Sequence, residues 1–175
     1  MDPIRHFKFC PSCAQPQAAP ATGRPFHCTG CGFVYYFNPV IAAAALVLDE
    51  GDRALFIRRA KEPAKGRLAM PGGFVDVGET LEEAVRREVR EEVNLELTAL
   101  EYFSSHPNAY YYKGVTYPVL DSFFIAKARN HEAVAALDGV RSYSWLKPAE
   151  IDLDDIAFPS MRAALELYLA RSHHE

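Results

Sequence analysis

The segment that sets the architecture of this chain is Gly73-Phe-Val-Asp-Val-Gly-Glu79-Thr-Leu-Glu-Glu-Ala-Val-Arg-Arg87-Glu88-Val-Arg-Glu91-Glu92-Val-Asn-Leu95. An α-helix turns by about 100° per residue, so residues three and four apart share a face. The apolar residues of the segment recur at that spacing and form one stripe: Leu81, Val85, Val89 and Val93. Glu88 and Glu92 fall beside this stripe. The segment therefore predicts a helix with two carboxylates at the edge of the core.

Three acids of this helix, Glu88, Glu91 and Glu92, are spaced i, i+3 and i+4. Carboxylates that are crowded and partly dehydrated resist ionisation unless a cation compensates their charge. Such acids offer hard oxygen ligands to a divalent ion and leave positions open for water and substrate phosphate. The alternative is an acidic surface helix whose acids pair with neighbouring arginines: Arg86, Arg87 and Arg90. The metal site is favoured because helical spacing directs Glu88 and Glu92 away from two of those arginines.

The residues around the helix support this interpretation. Met70-Pro-Gly-Gly-Phe74 contains paired glycines, which allow the backbone to approach a ligand closely. Thr80, followed by Glu83 three residues later, predicts a capping box, so the helix should begin at Leu81. The alternative for Gly-Gly is an ordinary turn.

From Gly73 to Leu95 the chain resembles the Nudix box, Gly-x5-Glu-x7-Arg-Glu-U-x-Glu-Glu-x-Gly-U, in which U is aliphatic. Every fixed position matches except one, where Asn94 stands in place of glycine. Asparagine is the usual second choice for a left-handed residue at a helix end, so this departure should spare the fold.

The resemblance implies an α/β fold, a Nudix α/β/α sandwich with a mixed sheet. It also implies Mg²⁺- or Mn²⁺-dependent hydrolysis of a nucleoside diphosphate linked to another moiety. By the same resemblance the metal ligands are Glu88, Glu91 and Glu92, joined by the carbonyl of Gly73. Arg87 is implied to orient the neighbouring acids and to belong with them to the catalytic group, and Glu79 to act from outside the ligand shell.

The general base is less well defined. Several members of the family take a Glu from a loop ahead of a Trp-Leu strand, but the corresponding stretch here, 138–146, contains no Glu. Asp138, Glu91 within the box, His106, or the metal ions alone are the alternatives. We favour Glu91.

All four cysteines of the chain lie near the amino end, as Cys10-x2-Cys13 and Cys28-x2-Cys31. Two such pairs separated by fourteen residues supply the four thiolates that structural Zn²⁺ prefers. Two disulfides or a redox pair are the alternatives, and the polar opening residues show no secretory run that would favour them. We predict a structural Zn²⁺.

A zinc ribbon followed by a Nudix box resembles two groups, the NADH pyrophosphatases and hydrolases that act on FAD or ADP-ribose. The first group carries Ser-Gln-Pro-Trp-Pro-Phe-Pro after the box, whereas this chain has Ser104-Ser-His-Pro-Asn-Ala-Tyr-Tyr-Tyr112. The ending 150–160 resembles the second group. The resemblance therefore implies release of AMP from FAD or ADP-ribose, with NADH or dinucleoside polyphosphates as alternatives.

Substrate-binding residues are predicted from their chemistry. Tyr111 and Tyr112 can stack on adenine or flavin, although tyrosines in a strand are more often half-buried sheet residues. Arg58, with Arg59, Lys61 and Lys65, can contact phosphates, and solvated charge is the alternative. Phe158 and the last helix are candidates for a homodimer contact.

Composition and patterning set the organisation. The chain has 175 residues, is 49% hydrophobic and has a formal charge of −4, which argues against duplex nucleic acid as a partner. It contains no apolar stretch long enough to span a bilayer, and a cytoplasmic protein is expected. We predict a zinc ribbon over 1–37 and a Nudix domain over 38–175. Strands are predicted over 40–48, 54–59, 95–103, 110–112, 116–128 and 141–146, a loop over 61–73, and helices over 81–93 and 160–170.

A different functional class also fits these patterns, a domain that binds a nucleotide or a protein partner without turning anything over. The three intact box acids favour the enzyme, because inward acid is costly to keep without a use.

Overall fold

The computed structural model describes residues 2–21 and 24–172. Its packing divides into two compact units. The first unit, called here the cysteine unit, is Met1–Val40 together with Ala109–Pro118, and the second is Ile41–Asn108 together with Val119–Glu175.

The cysteine unit is built around two short antiparallel strands, β1 (Phe26–His27) and β2 (Val34–Tyr35). Its small core contains Cys10, Phe26 and Cys28, which are nearly fully buried. Phe7 packs on this core and stacks on Tyr35 with ring centroids 5.3 Å apart. So few apolar residues bury little surface, and a unit of this size ordinarily needs a metal or disulfides for stability.

The second unit contains most of a seven-stranded sheet. Its strands in chain order are β3 (Val40–Leu48), β4 (Ala54–Arg59), β5 (Leu68–Ala69), β6 (Gly72–Phe74), β7 (Leu97–Tyr112), β8 (Val115–Ala128) and β9 (Val140–Leu146). The sheet order is β5-β4-β3-β8-β7, with β6 also paired to β3 and β9 to β4. Two helices, α1 (Leu81–Val93) and α2 (Pro159–Ser172), complete the fold. This mixed sheet with helices agrees with the predicted sandwich.

Helix α1 forms where the sequence predicts it. Thr80 accepts from the backbone N–H of Glu83 while the Glu83 side chain accepts from the Thr80 N–H, so the predicted capping box is present. The three valines of its apolar stripe are buried and Leu81 is partly buried, and each fully buried valine contributes about 1.5 kcal/mol or more. Asn94 ends the helix in the left-handed region with φ of 58°, as predicted.

Helix α2 begins at Pro159, whose fixed φ suits the first helical turn. The predicted apolar face is confirmed, with Met161, Ala164 and Leu165 buried and Tyr168 and Leu169 packed against the same core. None of the helices among the described residues has both the length and the apolar character needed to cross a membrane.

Two stretches differ from prediction. The predicted loop over 61–73 contains β5 and the start of β6, two strands too short to leave a periodic pattern. The predicted strands at 95–103 and 110–112 are parts of one continuous strand, β7, which passes through Pro107. Because β7 is the last strand in the sheet order, a proline without an N–H is tolerated there.

Candidate active site and metal centre

The four cysteines form a compact cluster in the cysteine unit. Their sulfurs lie within 4.8 Å of one another, with 3.7 Å from Cys10 Sγ to Cys31 Sγ and from Cys13 Sγ to Cys28 Sγ. None of them is in a disulfide. A tetrahedral ion with Zn–S bonds of about 2.3 Å requires S···S edges of about 3.8 Å, so this spacing fits zinc.

The local backbone prepares Cys28 to act as a thiolate. Backbone N–H groups of Cys31 and Gly30 lower the pKa of the Cys28 thiol to about 6, although burial acts in the opposite direction. The side-chain amide of Gln17 also donates to Cys28 Sγ at 3.6 Å. Donors that stabilise sulfur's negative charge are the surroundings that a thiolate ligand needs.

The second site lies in the second unit, and Arg87 makes most of its hydrogen bonds. Its Nε and Nη2 donate to the two oxygens of Glu79 at 2.7 and 2.9 Å, a bidentate pair. Its Nη1 donates to Glu88 Oε1 at 2.8 Å and to Glu91 Oε2 at 3.3 Å, and Nη2 also reaches the Phe74 carbonyl at 3.0 Å. The hydrogen bonds from Arg87 lower the pKa of Glu79 to about 2. One guanidinium therefore holds the helix acids and the preceding loop together.

Glu88 lies against the glycine loop. A Cβ on Gly73 would sit 2.6 Å from the Glu88 carboxyl carbon, closer than real Cβ contacts come, so any larger residue there would displace the Glu88 carboxyl. The Glu88 side chain is 18% exposed, and its burial raises the pKa of its carboxyl despite the adjacent Arg87.

Glu92 is held by the same loop through the backbone. The N–H of Gly72 donates to Glu92 Oε2 at 2.9 Å. Gly72 has φ of 150°, and a Cβ there would lie 2.3 Å from the Ala43 carbonyl oxygen. Burial raises the pKa of Glu92 to about 7, while the Gly72 N–H and the positive charge of Arg59 oppose the rise.

The candidates for general base occupy different surroundings. Glu91 is 53% exposed and bonds only weakly to Arg87. Asp138 is 80% exposed and pairs with Lys61 at 2.8 Å, and its charge contributes to the raised pKa of Glu92. His106 instead lies near Asp121 and Phe123. Glu91 therefore combines proximity to the other acids with access to water.

The predicted phosphate-binding residues are not equivalent. Arg58 Nη1 donates to the Gly66 carbonyl at 3.1 Å and to Asp155 Oδ2 at 2.5 Å, which assigns it a structural ion pair. Arg59 Nε donates to the Pro63 carbonyl at 2.8 Å, and its guanidinium lies 5.0 Å from the centroid of the Phe158 ring.

Tyr111 and Tyr112 lie in the cysteine unit and are 59% and 43% exposed. The ring of Tyr112 contacts Tyr110 at 6.4 Å and the ammonium of Lys113 at 5.2 Å. Their exposure leaves them available to stack on a base, and their role stays a prediction.

Sequence reasoning missed a buried polar cluster. Asp121 is only 8% exposed, and its Oδ2 accepts from Asn108 Nδ2 at 2.9 Å and from the Ser160 hydroxyl. Burial raises the pKa of Asp121, with the charge of His106 opposing it. The signal was available, because Asp121 is the single acid of a mostly apolar strand.

The box acids are the right kind of ligand for a divalent cation, but in this structure their oxygens are not gathered around one point. Glu88 and Glu92 have raised pKa values because they are buried without enough positive charge, and carboxylate oxygens are the ligands that Mg²⁺ and Mn²⁺ prefer. In the part of the chain that the structure describes, the cysteines are the only group of three or more such side chains gathered within ligand distance. Each box acid is instead held by Arg87 or Gly72.

Comparison with known proteins identifies relatives. The profile of the NUDIX domain matches residues 38–168. An NAD-capped RNA hydrolase NudC from Chromobacterium violaceum is 43% identical over 95 residues, which are 54% of this chain and 35% of that protein. The human mitochondrial NAD(P)H pyrophosphatase NUDT13 is 38% identical over 99 residues, 56% of this chain and 27% of that protein. The chain thus matches about a third of the length of these relatives.

A solved structure gives the same fold. The crystal structure of a NUDIX hydrolase from Nitrosomonas europaea superimposes with a TM-score of 0.71 at 24% identity, covering 96% of this chain and 93% of that one.

Proposed function

This chain belongs to the NUDIX domain family, and on that premise we propose that it hydrolyses the pyrophosphate of an adenosine diphosphate derivative and releases AMP. The observation that carries the proposal is the pair of partly buried acids, Glu88 and Glu92, held against the Gly72–Gly73 backbone beside Arg87. A binding module would have no use for such costly carboxylates.

Glu88, Glu91 and Glu92 are the residues that would hold Mg²⁺ or Mn²⁺, together with the Gly73 carbonyl. When bound, the ion neutralises charge on the diphosphate and lowers the pKa of water. Arg87 fixes the rotamers of the acids, because its contacts span the loop and the helix.

Glu91 is the proposed general base. Its exposed carboxylate accepts a proton from water as the water oxygen bonds to one phosphorus. The phosphorus–oxygen bond of the anhydride breaks, and the leaving phosphate carries away its electron pair. The products are two phosphate monoesters, one of which is AMP.

Arg59 is the proposed phosphate-positioning residue, in place of Arg58. The Pro63 carbonyl and the Phe158 ring hold its guanidinium, and its terminal amino groups make no hydrogen bond within residues 2–21 and 24–172. Its charge acts on Glu92, so it lies near enough to serve a phosphate bound at the same acid.

The substrate class is proposed from two lines of support. The relatives named as NAD-capped RNA hydrolase and NAD(P)H pyrophosphatase favour an NAD-type pyrophosphate. FAD and ADP-ribose form the second candidate class, because the sequence of residues 104–112 departs from the NADH pyrophosphatase pattern. These residues are part of strand β7. Dinucleoside polyphosphates are the remaining alternative.

The test is hydrolysis of a substrate panel, NADH, NAD⁺, FAD, ADP-ribose and a diadenosine polyphosphate, with Mg²⁺ or Mn²⁺ and chromatographic identification of AMP. The highest kcat/KM assigns the substrate. Absence of AMP from every compound with either ion, by protein that binds those compounds, would establish the non-catalytic binding module instead.

The arginine assignment has its own variants. We expect Arg59→Ala to raise KM about tenfold or more with little loss of fold, and Arg58→Ala to lower the melting temperature because Asp155 loses its partner. Arg90→Ala, which removes an exposed cation from α1, is the matched control and should behave like wild type. An unchanged KM in Arg59→Ala would remove Arg59 from the site.

For the four cysteines we propose a structural Zn²⁺. The 3.7 Å sulfur spacings, between four cysteines of which none is in a disulfide, support a closed tetrathiolate site.

A further inference from the structure

Charge is distributed unevenly between the two units. The cysteine unit contains four Lys or Arg residues, Arg5, Lys8, Arg24 and Lys113, and one acid, Asp2. The whole chain has 19 Lys or Arg and 23 Asp or Glu, so fifteen cations and twenty-two acids remain in the second unit. A Zn²⁺ ion with four thiolates would add two negative charges and leave the cysteine unit net positive by one.

Cations and aromatic rings alternate at one place on this unit. The sequence Arg5-His-Phe-Lys-Phe9 has four exposed side chains and one, Phe7, that is partly buried. Phe7 stacks on Tyr35, which is itself 45% exposed, and Phe9 is 60% exposed. We define the basic–aromatic surface as Arg5, His6, Lys8, Phe9 and Tyr35. The stack of Phe7 on Tyr35 places strand β2 beside the segment that contains Arg5, Lys8 and Phe9.

We propose that the basic–aromatic surface binds single-stranded nucleic acid. Arg and Lys contact phosphates, and exposed Tyr and Phe rings stack on unpaired bases with little regard to base identity. The surface has both kinds of group within five residues of chain and a neighbouring strand. A duplex would hide the base faces, so the aromatic rings would contribute nothing to its binding.

The excess of acids in the second unit supports placing the nucleic-acid site on the cysteine unit. With seven more acids than Lys or Arg residues, that unit repels a polyanion, and the cysteine unit is where a strand can be accepted. Asp2, the single acid of the cysteine unit, has its carboxylate engaged by the N–H of Ile4 at 3.0 Å. The low formal charge of the whole chain therefore conceals a local cationic surface.

Binding is independent of the proposed hydrolysis and is measured without it. The probe is a fluorescently labelled single-stranded oligoribonucleotide of about twelve nucleotides, followed by anisotropy in buffer without Mg²⁺ or Mn²⁺. Its 5′ end carries a hydroxyl group, so it contains no phosphoanhydride. A duplex of the same sequence and polyglutamate are the competitors.

The surface variants are R5E/K8E and Phe9→Ala, and the matched control is K127E/K147E, which places the same charge change at exposed sites of the second unit. We expect R5E/K8E to weaken strand binding at least tenfold and to reduce the slope of log K against log salt by about 1.4, since each phosphate contact contributes about 0.7. Phe9→Ala should weaken binding about fivefold or more with an unchanged salt slope.

Four results would overturn the proposal: no saturable binding, an equal loss in K127E/K147E, equal affinity for duplex, or displacement by polyglutamate as effective as by RNA. R5E/K8E should hydrolyse the dinucleotide panel at the wild-type rate. Strand binding without hydrolysis would leave this proposal standing and remove the proposed function, and hydrolysis without strand binding would do the reverse.

Discussion

The cysteine cluster and the box acids organise their candidate ligands in opposite ways. The four sulfurs already meet the spacing of a tetrahedral ion. The box acids are separated by protein groups, with Glu88 and Glu91 bonded to Arg87 and Glu92 bonded to the Gly72 N–H. The four sulfurs are already placed to surround one ion, whereas the carboxylates would have to exchange their protein partners for a metal ion.

This contrast follows from what each site has to do. A structural ion needs all four positions filled, and under the zinc proposal the fold of the small cysteine unit would depend on that ion. A catalytic ion must leave positions for water and phosphate, so its ligands are held by partners that can be exchanged. Arg87 and Gly72 are such partners, because they stabilise charged acids without consuming all of their oxygens.

Loss of a zinc ion from the four cysteines should cause the largest loss of stability, and the loss should be confined to the cysteine unit. Cys28→Ser should remove the bound metal and make residues 10–37 sensitive to protease, because binding of structural zinc supplies about 10 kcal/mol or more of folding free energy. Zinc content by mass spectrometry and mapped proteolysis measure this. Ser12→Ala, between two of the cysteines, is the control and should keep full zinc. An unchanged digestion pattern in metal-free protein would contradict a structural ion.

Removal of box charges should abolish turnover without unfolding. Glu91→Gln and Glu92→Gln should each lower kcat about 100-fold or more, because one removes the proton acceptor and the other a metal ligand. Steady-state rates together with circular dichroism report both properties. Glu82→Gln lies on the exposed side of the same helix and should turn over like wild type. Wild-type rates in both site variants would remove the metal assignment.

The pH dependence of stability should distinguish the two sites further. The folded pKa of Glu92, about 7, is above the ordinary glutamate value of 4.5, so its favourable contribution is complete below pH 4.5 and is lost as pH rises through 7. Without divalent metal, Glu92→Gln should therefore gain about 1–3 kcal/mol over wild type between pH 4.5 and 8.

Urea unfolding at both pH values measures this gain, and Mg²⁺ at pH 8 should stabilise wild type more than the variant. Glu82→Gln should show no such gain. Identical pH profiles for wild type and Glu92→Gln would mean that burial does not affect this carboxyl.

The end of the catalytic helix should tolerate change best. Asn94→Gly restores the glycine of the box pattern and relieves the left-handed backbone at φ of 58°, but it removes the bond from Asn94 Nδ2 to the Ala133 carbonyl at 3.0 Å. These effects oppose each other, so stability should change by less than about 1 kcal/mol and kcat by less than about twofold. A large loss of activity would show that Asn94 positions Glu92.

Local rules explain why α1 was predictable to the residue. The capping box, the apolar spacing and the left-handed Asn94 all act within a few residues, so the sequence carries them directly. The gathering of the four cysteines was predictable for the same reason, since two Cys-x2-Cys pairs favour one shared site. The fold prediction is confirmed at the level of a mixed sheet with helices.

Long-range partners were not predictable in this way. Arg58 pairs with Asp155, ninety-seven positions away, and the local sequence does not specify that partner. The pairing of Gly72 with Glu92 and the joining of Asp121 to Ser160 likewise depend on how strands and helices meet. The continuity of β7 through Pro107 depends on its edge position, which the local sequence does not specify.

The Glu88 carboxyl fills the space where a side chain at position 73 would lie, and this has a consequence for variation within this fold. Even one methyl group there would collide with the Glu88 carboxyl, so no substitution at position 73 can retune the acid without displacing it. A side chain at position 73 would therefore alter the Glu88 carboxylate itself, so a change of substrate preference that spares this acid has to come from other positions.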